Sequence, residues 1–183
     1  VDTDQHPRHD LTLEQLARFP PYFKKDGLIT VGTASGLNDA AAAVVIMDKD
    51  RAEELGISPY MKLVAHASVG VEPEIMGMGP VPAVRKALSK ANLRLEDIGL
   101  IELNEAFAVT SLAVGRELGL DWEKVNVNGG AIALGHPIGA TAAILTVKLM
   151  YEMVHRHTRY GLVTACVGGG QGMAAIFENL RHP

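Results

Sequence analysis

Between Tyr60 and Phe177, short apolar stretches that read as strands alternate with longer stretches that read as apolar-faced helices. That order constrains the fold more than any other feature, because a sheet interleaved with helices ends up covered by them. Strands are expected at Met61 to Val69, Leu100 to Leu103, Val125 to Val127, Leu162 to Cys166 and Met173 to Phe177. Helices are expected over Pro80 to Ala91, Ala106 to Leu118 and Gly139 to about His155. The prolines of the first helix fall in its opening turn, where a missing N–H costs nothing. Only a glycine turn separates the last two strands, so that pair should be antiparallel. The expected fold class is α/β, a mixed sheet covered by helices.

Upstream the pattern is looser. Residues 1–30 are polar and proline-bearing, with one short helical pattern (Leu13, Leu16, Ala17) ended by Pro20-Pro21. This stretch reads as a linker or lid. Thr33-Ala-Ser-Gly-Leu-Asn-Asp39 is small and turn-forming, with Asn38 or Asp39 placed to cap the next element. Ala40 to Ala43 then read as helix, Val44 to Met47 as strand, and Asp50 to Leu55 as a short helix stopped by Gly56.

Composition narrows the function classes. At 183 residues, with 48% hydrophobic and 21% charged side chains, the chain can build one good core and is not disordered. The longest apolar run, Ala40 to Met47, falls far short of the ~20 residues a membrane span needs. No signal-peptide pattern is expected, and an opening Val1 suggests a processed or cut start. Seventeen basic residues among twenty-one acidic ones leave no broad nucleic-acid footprint. A single cysteine excludes an internal disulfide and makes the cytoplasm the expected compartment. No metal site is expected.

Three motifs could carry chemistry. Asn104 and Glu105 sit where a strand gives way to a helix, the usual place for ligand-facing groups in α/β sheets, although Asn104 taken alone could be a helix cap. His136 lies between glycines, before Pro137 and a long helix. The helix dipole there should disfavour its protonated form and leave an imidazole able to serve an oxyanion. The spacing of Gly130 and Gly135 resembles a phosphate-binding loop, but His-Pro follows where Lys and Ser or Thr are needed. Cys166 ends a strand and runs into Gly168, Gly169 and Gly170, whose N–H groups could converge as an anion nest favouring thiolate. Each residue has an ordinary structural reading when taken singly. Together they put an imidazole, a carboxamide and a thiol at strand ends of one domain.

At this point the chain resembles the thiolases over essentially its whole length. Thr33-Ala-Ser-Gly-Leu-Asn-Asp, Met76-Gly-Met-Gly-Pro-Val-Pro-Ala, Asn104-Glu-Ala-Phe-Ala, Asn126-Val-Asn-Gly-Gly-Ala-Ile-Ala-Leu-Gly-His-Pro-Ile-Gly-Ala and Cys166-Val-Gly-Gly-Gly-Gln-Gly occur in family order. The resemblance implies that His136 activates a nucleophilic cysteine and helps bind the thioester oxygen. Cys166 would be the general acid/base, Asn104 would hold a water in the same oxyanion hole, and Gly168 would donate to a second one. Ser35 would contact the pantetheine arm of coenzyme A. Phe23, Leu37, Ala106 and Phe107 would line its tunnel, Arg8 would lie beside the adenine, and Met76 near the acyl group. The implied fold is a thiolase-like C-terminal domain, one half of an αβαβα layered fold.

On this resemblance residues 1–38 are the end of the coenzyme A-binding lid, 39–59 the last helix and strand of the N-terminal half, and 60–183 the C-terminal domain. The implied activity is that of an acyltransferase converting two acetyl-CoA reversibly to acetoacetyl-CoA and CoA. A 3-ketoacyl-CoA thiolase of fatty acid β-oxidation, a non-catalytic CoA-binding or oligomerisation module, and a cysteine hydrolase using Cys166 and His136 are the alternatives. Coenzyme A thioester is a substrate, and no cofactor is implied. The implied partners are acyl-CoA, CoA, a missing N-terminal half carrying the acyl-accepting cysteine, and further copies in a dimer or tetramer. The chain departs from the family pattern at Thr33, at Ala40, and at Thr141-Ala142 where Ser-Gly is common. Alone, it should expose apolar surface.

Overall fold

The computed structural model describes residues 2–4 and 6–182; Val1, with which the chain opens, lies outside them. Its centre is a four-stranded mixed sheet formed by β1 (Met61–Gly70), β2 (Leu100–Leu103), β3 (Tyr160–Val167) and β4 (Gln171–Asn179). The strand order is β1-β4-β3-β2. β2 runs parallel to β3, with Leu103 opposite Thr164, while β4 is antiparallel to both β3 and β1. β3 and β4 form a hairpin across Gly168–Gly170, as the glycine turn leads one to expect.

Helices cover both faces. One face carries α3 (Pro80–Ala91) and α4 (Ala108–Leu118). In α3 the residues Ala83, Val84 and Ala87 recur at helical spacing and are buried against Leu103, Leu162 and Ile176 of the sheet. It ends at Asn92, which takes the left-handed conformation. The other face carries α6 (Thr141–His155), whose Leu145, Leu149 and Met153 pack on Leu100 and Val163. Every residue of β2 is buried, as a parallel strand covered on both sides requires.

Helix α6 spans β2 and β3 and barely reaches β4. Beyond it Leu63 and Met173 are exposed, so the expected apolar surface is present. Short helices α1 (Leu13–Leu16), α2 (Lys49–Glu54) and α5 (Ala131–Leu134), with 3-10 turns at Pro73–Met78, Leu95–Asp97 and Trp122–Lys124, complete the described elements. No helix among the described residues is long and apolar enough to cross a membrane.

Two expected strands differ. Val125 makes a single parallel bridge to Ile101, and Asn126 then turns into the left-handed region, φ 49°, so Val125–Val127 is not a strand. Residues 40–47 form neither the expected helix nor the expected strand; Val45 and Ile46 are 87% and 86% exposed. A strand needs a neighbouring backbone to receive its N–H and C=O groups, and no described neighbour offers one to this segment. Asn38 and Asp39 consequently have no helix to cap.

Candidate active site

The site lies at the carboxyl ends of β2 and β3. Asn104 follows β2 directly, and its N–H donates to the Thr164 carbonyl of β3 at 2.9 Å. Cys166 is two residues farther along β3, so the carboxamide and the thiol leave adjacent strands at the same end. Asn104 does not act as a cap, since α4 begins at Ala108 with Phe107 before it. Its side chain is buried instead, 4% exposed, and turned to His136: Nδ2 lies 3.4 Å from Nε2. Asn104 Oδ1 is buried with no partner among the described residues.

His136 comes from the glycine-rich loop between α5 and α6. On its other side Nδ1 lies 2.7 Å from Thr141 Oγ1, which in turn donates to the Pro137 carbonyl at 2.9 Å. Burial holds the imidazole below its ordinary pKa range. The direction matches expectation, and the cause is desolvation; α6 begins five residues later.

For Cys166 the shift runs opposite to the expected direction. Burial pushes the thiol above its ordinary pKa, and a local backbone hydrogen bond opposes this only in part. Gly168 and Gly169 of the turn that follows are exposed, and Gly170 is buried. Neither is the sulfur bonded to His136, whose nitrogens meet Thr141 and Asn104. That arrangement leaves a cysteine hydrolase without its attacking pair.

The segment 33–38 links the loop after β2 to the loop that carries His136. The Ala108 N–H donates to the Thr33 carbonyl at 2.8 Å, and Ser35 donates through both N–H and Oγ to the Ala106 carbonyl at 3.1 and 3.2 Å. Farther along, the His136 N–H donates to the Gly36 carbonyl at 2.9 Å, and Leu37 pairs with His136 as a parallel bridge. Phe23 packs edge-on to Phe107, ring centroids 6.0 Å apart. Ser35, Leu37, Ala106, Phe107 and Phe23 thus come together beside Asn104 and His136.

Met76 is brought close by backbone contact. The Val71 N–H donates to the Gly170 carbonyl, and Gly79 presses so closely on Gly172 that neither could carry a side chain without displacing the other. This seats the turn 73–78 on the β3–β4 hairpin. Arg8 does not join the group. It reaches the Val31 carbonyl at 3.4 Å and lines an open groove of about 610 Å³ with Leu11, Gln15 and Arg18. A second groove of about 410 Å³ runs between Asn38–Ala42 and the start of α6.

Sequence reasoning missed the supports of this site. The Glu105 carboxylate accepts from Asn126 Nδ2 at 2.8 Å and from the Ile132 N–H at 3.1 Å, tying the segment after β2 to Asn126 and to α5, the helix just before His136. Lys148 of α6 donates to buried Glu102 at 3.0 Å and to the Gly129 carbonyl at 2.7 Å. Burial raises the Glu102 pKa, and Lys148 opposes the rise. Thr141 stood in the sequence only as a departure from a motif. The i to i+5 spacing from His136 was the sole hint of its contact. Ala142, the neighbouring departure, is exposed and crowds nothing.

Comparison with known proteins identifies relatives of the sequence and of the fold. The family described as "Thiolase, C-terminal domain" matches residues 57–179, and "Thiolase, N-terminal domain" matches residues 1–50. Acetyl-CoA acetyltransferase of Syntrophomonas wolfei is 58% identical over 98% of this chain and 46% of its own length. Beta-ketothiolase BktB of Cupriavidus necator is 53% identical with the same coverage. Among solved structures, Bacillus anthracis acetyl-CoA acetyltransferase superposes with a TM-score of 0.93 at 51% identity, over 96% of this chain and 45% of that one. Human mitochondrial 3-ketoacyl-CoA thiolase in complex with CoA gives 0.89 at 46% identity, with the same coverage. The chain spans about half the length of the relatives it matches.

Proposed function

This chain belongs to the thiolase family, and we propose that it supplies the proton-handling side of an acetyl-CoA acetyltransferase. The reaction is the reversible condensation of two acetyl-CoA to acetoacetyl-CoA and CoA. The acyl-carrying cysteine belongs to thiolase residues outside these 183, because Cys166 is the only thiol here and has another role.

The observation that carries the reading is the Asn104–His136 pair at the end of β2, one strand from Cys166. His136 accepts the proton of the attacking thiol as the acyl-enzyme forms. Cys166 protonates the CoA sulfur that departs in this acylation, and the thiolate so formed then removes a methyl proton from the second acetyl-CoA. The enolate this leaves carries its charge on the thioester oxygen, where protonated His136 and a water held by Asn104 stabilise it. Fixed donors in a site shielded from water are worth most at that moment. A thiol of raised pKa suits the second step, since its thiolate is the stronger base. Gly168 N–H serves the acyl-enzyme carbonyl.

Ser35, Phe23, Leu37, Ala106 and Phe107 form the wall along which the pantetheine arm lies. Met76 faces the acyl group, and Arg8 the adenine end. Residues 1–38 belong to the lid, 39–59 to the N-terminal half, and 60–183 to the C-terminal domain. The working protein is a cytoplasmic homo-oligomer, a dimer or tetramer, that needs no cofactor. A degradative 3-ketoacyl-CoA thiolase is the second reading, favoured by the likeness to the human mitochondrial structure.

Incubation with labelled acetyl-CoA tests the proposal. The 183-residue chain alone should neither cleave acetoacetyl-CoA nor retain label on Cys166. Joined to a thiolase N-terminal half, it should do the first and carry label on the other cysteine. Robust thiolysis by the chain alone, or a stable adduct on Cys166, would overturn it.

A further inference from the structure

We propose that Thr141 is a positioning residue that locks His136 in the Nδ1–H tautomer, leaving Nε2 as the nitrogen that takes up a proton. This role rests on the thiolase reading and deepens it, because only an unprotonated Nε2 can accept the hydrogen of an attacking thiol.

The assignment comes from a count of hydrogens. Thr141 Oγ1 has one, and lies 2.9 Å from the carbonyl of Pro137, a group that can only accept. Threonine in a first helical turn commonly bonds back to the carbonyl four residues earlier. The Pro137 carbonyl also receives the Ala140 and Thr141 N–H groups at 2.8 and 2.9 Å; with the Thr141 hydrogen sharing that carbonyl, Oγ1 accepts across the 2.7 Å contact to His136 Nδ1. In the neutral ring the hydrogen is therefore on Nδ1.

The far side of the ring agrees. Nε2 faces Asn104 Nδ2 at 3.4 Å, and an amide nitrogen can only donate. Were the hydrogen on Nε2, two donors would point at each other in a site where Asn104 is 4% exposed. Thr141 is 6% exposed, so bulk water does not compete for its hydroxyl. The Asn104 contact, long at 3.4 Å, is compatible with this tautomer, and the 2.7 Å contact to Thr141 is the one that selects it. Burial keeps the ring neutral and so keeps the selection in force.

The test reads the tautomer directly on the 183-residue chain. Nitrogen-15 labelled histidine is observed by long-range proton correlation at about pH 8, above imidazole titration, with His136 assigned through the His136→Gln variant. Wild type and Thr141→Ser should show a pyrrole-type Nδ1 and a pyridine-type Nε2. Thr141→Val keeps the shape without the hydroxyl, and should move both shifts toward the average of the two tautomers. A pyridine-type Nδ1 in the wild type, with the Asn104 amide reversed to accept, would overturn the proposal; so would a folded Thr141→Val chain whose shifts do not move. If Thr141→Val fails to fold, the wild-type spectrum decides alone. Failure of the thiolase reading is separate: an absent acyl transfer with an intact Nδ1–H signature would leave the role of Thr141 standing.

Discussion

Asn126 closes the open edge of β2 with its side chain: Oδ1 accepts the Leu103 N–H at 2.9 Å, and Nδ2 donates to the Leu103 carbonyl at 2.9 Å. Its own N–H meets the Ile101 carbonyl at 2.9 Å. A carboxamide carries the donor and acceptor of a peptide group, so one asparagine continues the ladder where the backbone has turned away. This holds Leu103, and with it Asn104, in place.

Asn126→Ala should therefore cost about 2–4 kcal/mol, since it strands a buried N–H and carbonyl and puts alanine at a positive φ. Asn126→Gly relieves the backbone but not the lost bonds, and should recover only part of the loss. Urea unfolding of the three chains checks this. A loss under about 0.5 kcal/mol for alanine would mean the edge does not depend on the side chain.

Gly130→Ala should be damaging for a different reason. A Cβ there would land on the carboxylate of Glu105, which is held by Asn126 and the Ile132 N–H. Overpacking of this kind costs about 1–3 kcal/mol. The Ile132 amide should also exchange faster with solvent, because its acceptor is pushed away. Unchanged exchange at Ile132 would count against the clamp.

The Lys148–Glu102 pair joins α6 to β2, with the carboxylate side chain 3% exposed. Lys148→Met leaves that carboxylate and the Gly129 carbonyl without their partner, and should cost about 3 kcal/mol. Adding Glu102→Gln removes the stranded charge and should restore part of it. Denaturation of both single variants and the double variant gives the coupling. Strict additivity would show that the two side chains do not depend on one another.

Two pKa shifts give opposite pH windows. The folded His136 pKa lies below its unfolded value, so its share of stability is full above about pH 6.5 and is lost as pH falls from there. The folded Cys166 pKa lies above its unfolded value, so its share is full below about pH 8.5 and is lost as pH rises through the folded value. Alkylation of Cys166 by iodoacetamide should accordingly be slower at neutral pH than that of an unstructured cysteine. Reaction faster than that reference at pH 7 would contradict the role given to burial.

Much of the frame was legible from residues alone. The limits of α3 and β2 come out as expected: Pro80 opens the helix, Ala83, Val84 and Ala87 repeat at its period, and Leu100–Leu103 is apolar on both faces except for Glu102. The hairpin followed from the glycines between two strand patterns. The contact between His136 and Asn104 fits the sequence reading, because a strand end and a glycine-flanked turn deliver polar side chains to the same end of the sheet. Thr141, Asn126 and Lys148 were not legible, nor was the clamp that Glu105 makes. Each acts through a partner from 5 to 46 residues away, and no local pattern announces such a partner.

What the sequence determined by itself was the alternation of elements, the layers they must form, and the residue types delivered to one end of the sheet. Those come from periodicity and turn chemistry, which act over a few residues. Only the tertiary structure decided that Val125–Val127 yields to a side-chain bridge, that residues 40–47 have no strand to join, and that the thiol is buried and raised while the imidazole is buried and lowered. Hydrogen-bond partners and desolvation depend on what lies across space, and that is settled when distant segments pack.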